Sequence, residues 1–318
     1  MALFKKTSVS KDLINLVRAR DNGEAWAMKK LAELCNDDTV TLRELGEARI
    51  AIYEAAAKRG DKEARYWMGL SLQEVDPPAS FKWLIDLARE GHTKAMKTLG
   101  LGFSAVAYYG EDPEKELYWY LEAAKLGDAD AQQRAGKEYY LKGLENDNNP
   151  QGQKYYEMAW EWFEKSANQN YVQGVLSLAE LAMKHGDRCK DAVYRKYNYD
   201  FKNPAMQEEL AEAKEQAQQD YQGAADLLIE IVDGKYEDCT NDEAAKAFDI
   251  LGDMMRLNCF DAEPPPHEEA VHYYYLATLF DDGDNLISEK KMKDIISQQH
   301  LAISPRQFED WKQEVFGE

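Results

Sequence analysis

Small, bulky and turn-forming residues recur along this 318-residue chain at one set of spacings. From Ala57 the chain reads Gly60, Asp61, Ala64, Met68, Gly69 and Leu72. From Ala88 it reads Gly91, His92, Ala95, Leu99, Gly100 and Phe103. From Ala124 it reads Gly127, Asp128, Ala131, Ala135, Gly136 and Tyr139. Weaker copies begin at Arg20 and Ala167, and degenerate ones at Ala217 and Thr240, so successive starts lie 37, 31, 36, 43, 50 and 23 residues apart. A period in the thirties predicts stacked supersecondary pieces rather than one globule.

Within a copy, the small residues at offsets 7 and 12 and the bulky ones at 11 and 15 fall on one helical face. The glycine at offset 3 suits the left-handed end of the preceding helix. The following Asp61 or Asp128 is placed to cap the next helix by accepting a backbone N–H bond. Upstream of each copy a second helix carries Trp83, Trp119 or Trp162, each followed by Leu84, Tyr120 or Phe163. Asp76-Pro77-Pro78 and Asp112-Pro113 mark helix starts, where proline's missing donor costs least. Each copy therefore reads as two antiparallel helices joined by short turns.

The stretches AAAKRGDKEARYWMGLSL (55–72), LAREGHTKAMKTLGLGF (87–103) and YWYLEAAKLGDADAQQRAGKEYY (118–140) resemble the Sel-1-like repeat family, relatives of the tetratricopeptide repeats. The upstream half departs more, since only Ala159 sits at the family's leading alanine position. The match spans most of residues 15–316 and weakens after 185. The resemblance implies an all-α, right-handed solenoid of antiparallel helix pairs. It is expected to be one array over residues 1–318 with about seven pairs, and residues about 304–316 look like its capping helix. Family members act mostly as adaptors and scaffolds, which implies protein binding.

Composition narrows this further. No run of eighteen apolar residues predicts a membrane span, and Met1 to Val17 lacks the apolar core of a secretory signal. A cytoplasmic location is expected. Cys35, Cys189, Cys239 and Cys259 show no C-x-x-C spacing, which predicts reduced, buried thiols. The net charge of −20 disfavours nucleic acid and anionic membranes as partners. The acids are uneven: residues 226–284 hold sixteen acids and three bases.

By analogy with tetratricopeptide arrays, the groove-facing positions are offsets 9, 13 and 16. These include Tyr66 in the second copy, Tyr140 in the fourth and Glu180 in the fifth. Asp226, Glu230 and Asp233 follow in the sixth, and Asp249 and Asp253 in the seventh. The expected groove thus turns from aromatic to acidic, a cradle for a basic partner with electrostatic steering. Charged helix faces are also simply solvated surface in many proteins. Residues 184–204 read as an irregular insertion bearing six bases and the aromatics Tyr194, Tyr197, Tyr199 and Phe201. Such insertions often serve binding faces, although a drifted helical copy would look the same.

No P-loop, dinucleotide fingerprint or zinc-protease helix motif occurs. The five histidines are scattered. His92 reads as a capping variant, and His267 and His272 would point about 140° apart on a helix. The Asn146–Pro150 turn lacks the calcium-loop spacing. The sequence therefore predicts no enzyme, cofactor or metal. Two functional expectations follow: an inhibitor, as among immunity proteins that block a basic bacterial toxin, or a general adaptor for signalling or secretion complexes.

Overall fold

The computed structural model describes residues 10–36, 39–104, 108–147, 149–280 and 286–316. The leader reading at Met1–Val9, Asn148 and the side chain of Cys35 lie outside the described residues. Among the described residues there are fifteen helices and no strand, so the chain is all-α. None of these helices is long and apolar enough to cross a membrane.

Two compact units divide the chain, Met1–Ala135 and Gly136–Glu318. The first holds α1 (Lys11–Asp21), α2 (Ala25–Asn36), α3 (Leu42–Lys58), α4 (Lys62–Ser71), α5 (Pro77–Arg89), α6 (Thr93–Gly102) and α7 (Pro113–Lys125). The division falls within α8 (Ala129–Glu145). The second unit continues with α9 (Pro150–Ala167), α10 (Val172–Lys196), α11 (Pro204–Val232), α12 (Asn241–Arg256), α13 (His267–Phe280), α14 (Leu286–Gln298) and α15 (Pro305–Phe316). Within each unit helices pack mainly on their sequence neighbours, as in a solenoid.

The turns follow the sequence signals. Gly60 and Gly127 take φ of 93° and 90°, conformations that a side chain would strain. Asp61 then accepts the Ala64 N–H at 2.7 Å. His92 fills the same role, its Nδ1 accepting the Ala95 N–H at 3.1 Å. Asp76 and Asp112 cap helices that open on proline.

The second glycine of the three strong copies, and Gly186 and Gly252 further on, have a packing task. A Cβ on Gly69 would come within 2.6 Å of Leu84, and one on Gly100 within 2.8 Å of Tyr120. In the second unit Gly136 meets Phe163 at 2.6 Å, Gly186 meets Tyr221 at 3.0 Å and Gly252 meets Tyr274 at 2.7 Å. Each glycine is a seat for a bulky side chain of the following helix pair. The first-unit core around it holds Ile50, Ala57, Ala64, Met68 and Leu72. The large second-unit core gathers Leu176, Ala179, Tyr221, Leu228, Leu251 and Met254 with their neighbours.

Counting from the N-cap shows how the later helices differ. The seat lies eight residues beyond Asp61 and His92, at Gly69 and Gly100. It lies fifteen beyond Tyr171, at Gly186, and twelve beyond Thr240, at Gly252. The extra seven and four residues are about two turns and one turn of helix, so the packing face is kept.

Three sequence expectations change here. The copy starting at Ala217 is no helix–turn boundary, because Ala217 and Asp220 sit inside the 29-residue α11. Thr240 is instead the N-cap of α12, in a capping box with Glu243. The two degenerate echoes are thus the halves of one pair, α11 and α12, while α13 and α14 form a pair that no echo marked. Finally, residues 184–196 are the continuing body of α10, with Gly186 and Val193 buried one heptad apart on its inner face. Only 197–203 form a turn, and Asn203 caps α11 ahead of Pro204.

Candidate functional site

Apart from Glu180 on α10, the acids singled out from the sequence lie on or at the end of two helices of the second unit. Asp226 and Glu230 on α11 and Asp233 at its C-cap follow at i, i+4 and i+7, one stripe on one face. Asp226 and Asp233 are exposed. Asp226 accepts a bond from its own helix neighbour Gln222 at 2.7 Å. Glu230 is paired with Lys235 at 2.6 Å and accepts from the Tyr236 hydroxyl at 3.1 Å. The hydrogen bond from Lys235 holds the Glu230 carboxyl below the usual range.

Asp249 and Asp253 have the same i, i+4 spacing on α12, but they face α14. Lys291 reaches both, at 2.7 and 2.8 Å. Ser288 donates to Asp249, Arg256 donates to Asp253 at 3.0 Å, and the Tyr274 hydroxyl donates to Asp253 at 2.7 Å. Burial raises the Asp253 carboxyl, yet the hydrogen bonds from Lys291 and Tyr274 outweigh it and leave it below its ordinary value. Tyr274 is also the ring seated on Gly252, so Asp253 fastens the packing contact beside it. Asp187 does the same for Tyr221 over Gly186. Glu180 on α10 is bridged to Lys246 of α12 at 2.9 Å.

The aromatic candidates are spread. Tyr66 lies in the first unit, half-buried, with its hydroxyl 3.3 Å from Thr98 Oγ1 and its ring 5.3 Å from His92. Tyr140 lies in the second unit, half-buried against Tyr156 at 5.8 Å, and burial pushes its hydroxyl up. Tyr194 stacks on Tyr199 at 6.0 Å and tilts against Phe201 at 5.8 Å, at the end of α10. Tyr199 and Phe201 are more than half exposed. Tyr197 donates to Glu209 at 2.8 Å, closing the α10–α11 turn.

A cleft of about 480 Å³ opens between α9, α10 and α11. Trp160, Leu181, Lys184, His185, Arg188 and Asp220 are among its walls. Behind it, His185 Nδ1 lies 2.8 Å from Asp220 Oδ2, and Cys189 Sγ lies 3.9 Å from the same nitrogen. A relay to a thiol nucleophile needs sulfur and carboxylate on opposite ring nitrogens. Here both converge on Nδ1. Burial, helped by the Asp220 charge, pushes the Cys189 thiol up, away from the reactive thiolate. Cys239 and Cys259 are also free thiols, and burial pushes Cys259 up to about 11.

In the sequence Cys189 is one of four separate thiols and His185 one of five scattered histidines, and nothing there joins them with Asp220. His185 and Cys189 stand at i, i+4, a spacing visible once 184–196 is known to be helical. Asp220 comes from another helix and carries no local signal.

No family model matches the chain, and no curated protein matches it. Among solved structures, a Sel1 repeat protein from Oxalobacter formigenes is similar over 90% of this chain and 97% of its own, at 16% identity and a TM-score of 0.48. The protective antigen c5321 of uropathogenic Escherichia coli, which displays an SLR fold, is similar over 98% and 89%, at 16% identity and a TM-score of 0.20. The stretches quoted between 55 and 140 resemble the Sel-1-like repeat motif.

Proposed function

We propose that this chain is a non-enzymatic protein-binding solenoid that holds a basic partner along the open face of α11. The observation that carries this reading is the Asp226–Glu230–Asp233 stripe. Asp226 and Asp233 are exposed, and no lysine or arginine pairs with either among the described residues. Acids displayed in this way attract a cationic surface at long range and speed encounter. The exposed aromatic turn at Tyr199 and Phe201 offers apolar anchorage of the kind that carries binding energy. The narrower form of the proposal is an inhibitor that covers the working face of a basic toxin from within the cytoplasm.

A second reading, an adaptor with two ligands, draws on the first unit. There a cleft of about 640 Å³ is lined by Phe81, Ile85, Phe103, Tyr108, Tyr118 and Trp119. Affinity capture from the host lysate at 50 and 500 mM salt, a contrast that shortens the screening length about threefold, tests the first reading. One basic protein held at low salt, and lost with Asp226→Lys plus Asp233→Lys, is expected. Capture indifferent to both changes would refute it, and two ligands held at once would favour the adaptor.

A further inference from the structure

We propose that His185, Cys189 and Asp220 form a binding site for a zinc-like divalent transition metal, with an open coordination position toward the α9–α11 cleft. The three side chains offer one nitrogen, one sulfur and one oxygen, all within 4.8 Å of one another. That mixed set is the kind zinc accepts, and three protein ligands leave a fourth position for water or a partner group.

The ligands come from two rigid helices. His185 and Cys189 are one turn apart on α10, so they project from one face. Asp220 stands on α11, with its side chain only 12% exposed. Gln216 donates to its other oxygen, Oδ1, at 3.3 Å. A bond of that type orients a ligating carboxylate. The present separations sit near those of a filled site. With a metal–sulfur bond of about 2.3 Å and a metal–nitrogen bond of about 2.0 Å, a tetrahedral ion sets sulfur and nitrogen roughly 3.5 Å apart. Cys189 Sγ and His185 Nδ1 are now 3.9 Å apart. The 2.8 Å contact between His185 and Asp220 has only to open by about half an ångström.

Of the cations lining the cleft, Arg188 does not compete for these atoms. The Arg188 guanidinium is turned to Asp147 and Gln153 and lies over the Tyr156 ring. His185 is 40% exposed and Asp220 joins it in lining the cleft, so an ion has a way in.

The test is a Co²⁺ titration of the full-length chain, followed by displacement with Zn²⁺. One equivalent is expected to bind, with a near-ultraviolet thiolate charge-transfer band and visible bands of a four-coordinate ion. Cys189→Ser should abolish the near-ultraviolet band, and Cys259→Ser should leave it intact. His185→Gln and Asp220→Asn should each weaken binding at least as much as the roughly tenfold lost when only a partner behind a ligand is removed. Circular dichroism and thermal melts of each variant establish that it is folded. A folded wild-type chain showing no thiolate band overturns the proposal. So does a band that survives Cys189→Ser, or an affinity unmoved by His185→Gln.

Discussion

Two acidic stripes lie one helix apart in the second unit, with the same spacing and opposite fates. On α11, Asp226 and Asp233 stand in solvent and only Glu230 has a cationic partner among the described residues. On α12, Asp249 and Asp253 are covered by α14, sharing Lys291, and Asp253 also holds the Tyr274 hydroxyl. The first stripe is open to solvent. The second is a fastener between helix pairs. Local acid density does not distinguish the two; what lies across from each acid does.

The largest effect that would separate them is on stability. Asp253→Lys places a third cation beside Lys291 and Arg256 and strips Tyr274 of its acceptor. We expect a loss of roughly 3 kcal/mol by urea unfolding, at the lower end of what breaking a covered ion pair costs. A loss below about 0.5 kcal/mol, the ordinary surface range, would erase the contrast.

Next comes Tyr274→Phe, which keeps the ring over Gly252 and removes only the hydroxyl. The expected cost is about 1.5 kcal/mol, the scale of a hydrogen bond to a charged group. A melt that matches the wild type would show the hydroxyl bond to be idle.

The pH dependence is a smaller effect. The folded Asp253 carboxyl lies below its ordinary value of 3.8, so the unfolded chain takes up the proton first as pH falls. The stabilisation is complete above the unfolded value and disappears as pH drops through the folded one. Asp253→Asn should flatten that part of the stability curve below about pH 4, compared with the wild type. Identical acid limbs for the two proteins would contradict the assignment.

The smallest expected change in stability belongs to Asp226→Lys plus Asp233→Lys, within about 0.5 kcal/mol by thermal or urea unfolding. A larger loss would mean that α11 uses these acids for its own packing.

Much of the scaffold was legible. Gly60 with Asp61, Gly91 with His92, and the aspartate–proline starts of α5 and α7 are local signals, and local backbone chemistry decides them. Leu84, Tyr120 and Phe163 were visible as a periodic set, although their seats on Gly69, Gly100 and Gly136 needed the fold. The register failed at Ala217, where small residues at the right intervals occur in an unbroken helix. It also failed at 184–196, whose bases and aromatics disguised a continuing amphipathic face. The site was less legible. Lys291 lies 38 residues from Asp253, and Asp220 lies 35 from His185. Pairings over that distance are set by how helix pairs stack, and no spacing rule along the chain announces them.

The bulky side chain resting on a glycine has one further consequence. Its distance from the helix start takes values of 8, 12 or 15 residues, so these helices differ by about whole turns. An insertion of two residues would swing the glycine about 200° off its neighbour. Growth on this plan is therefore quantised: added turns leave the stack undisturbed and project fresh surface beyond it, where new chemistry can arise at little structural risk.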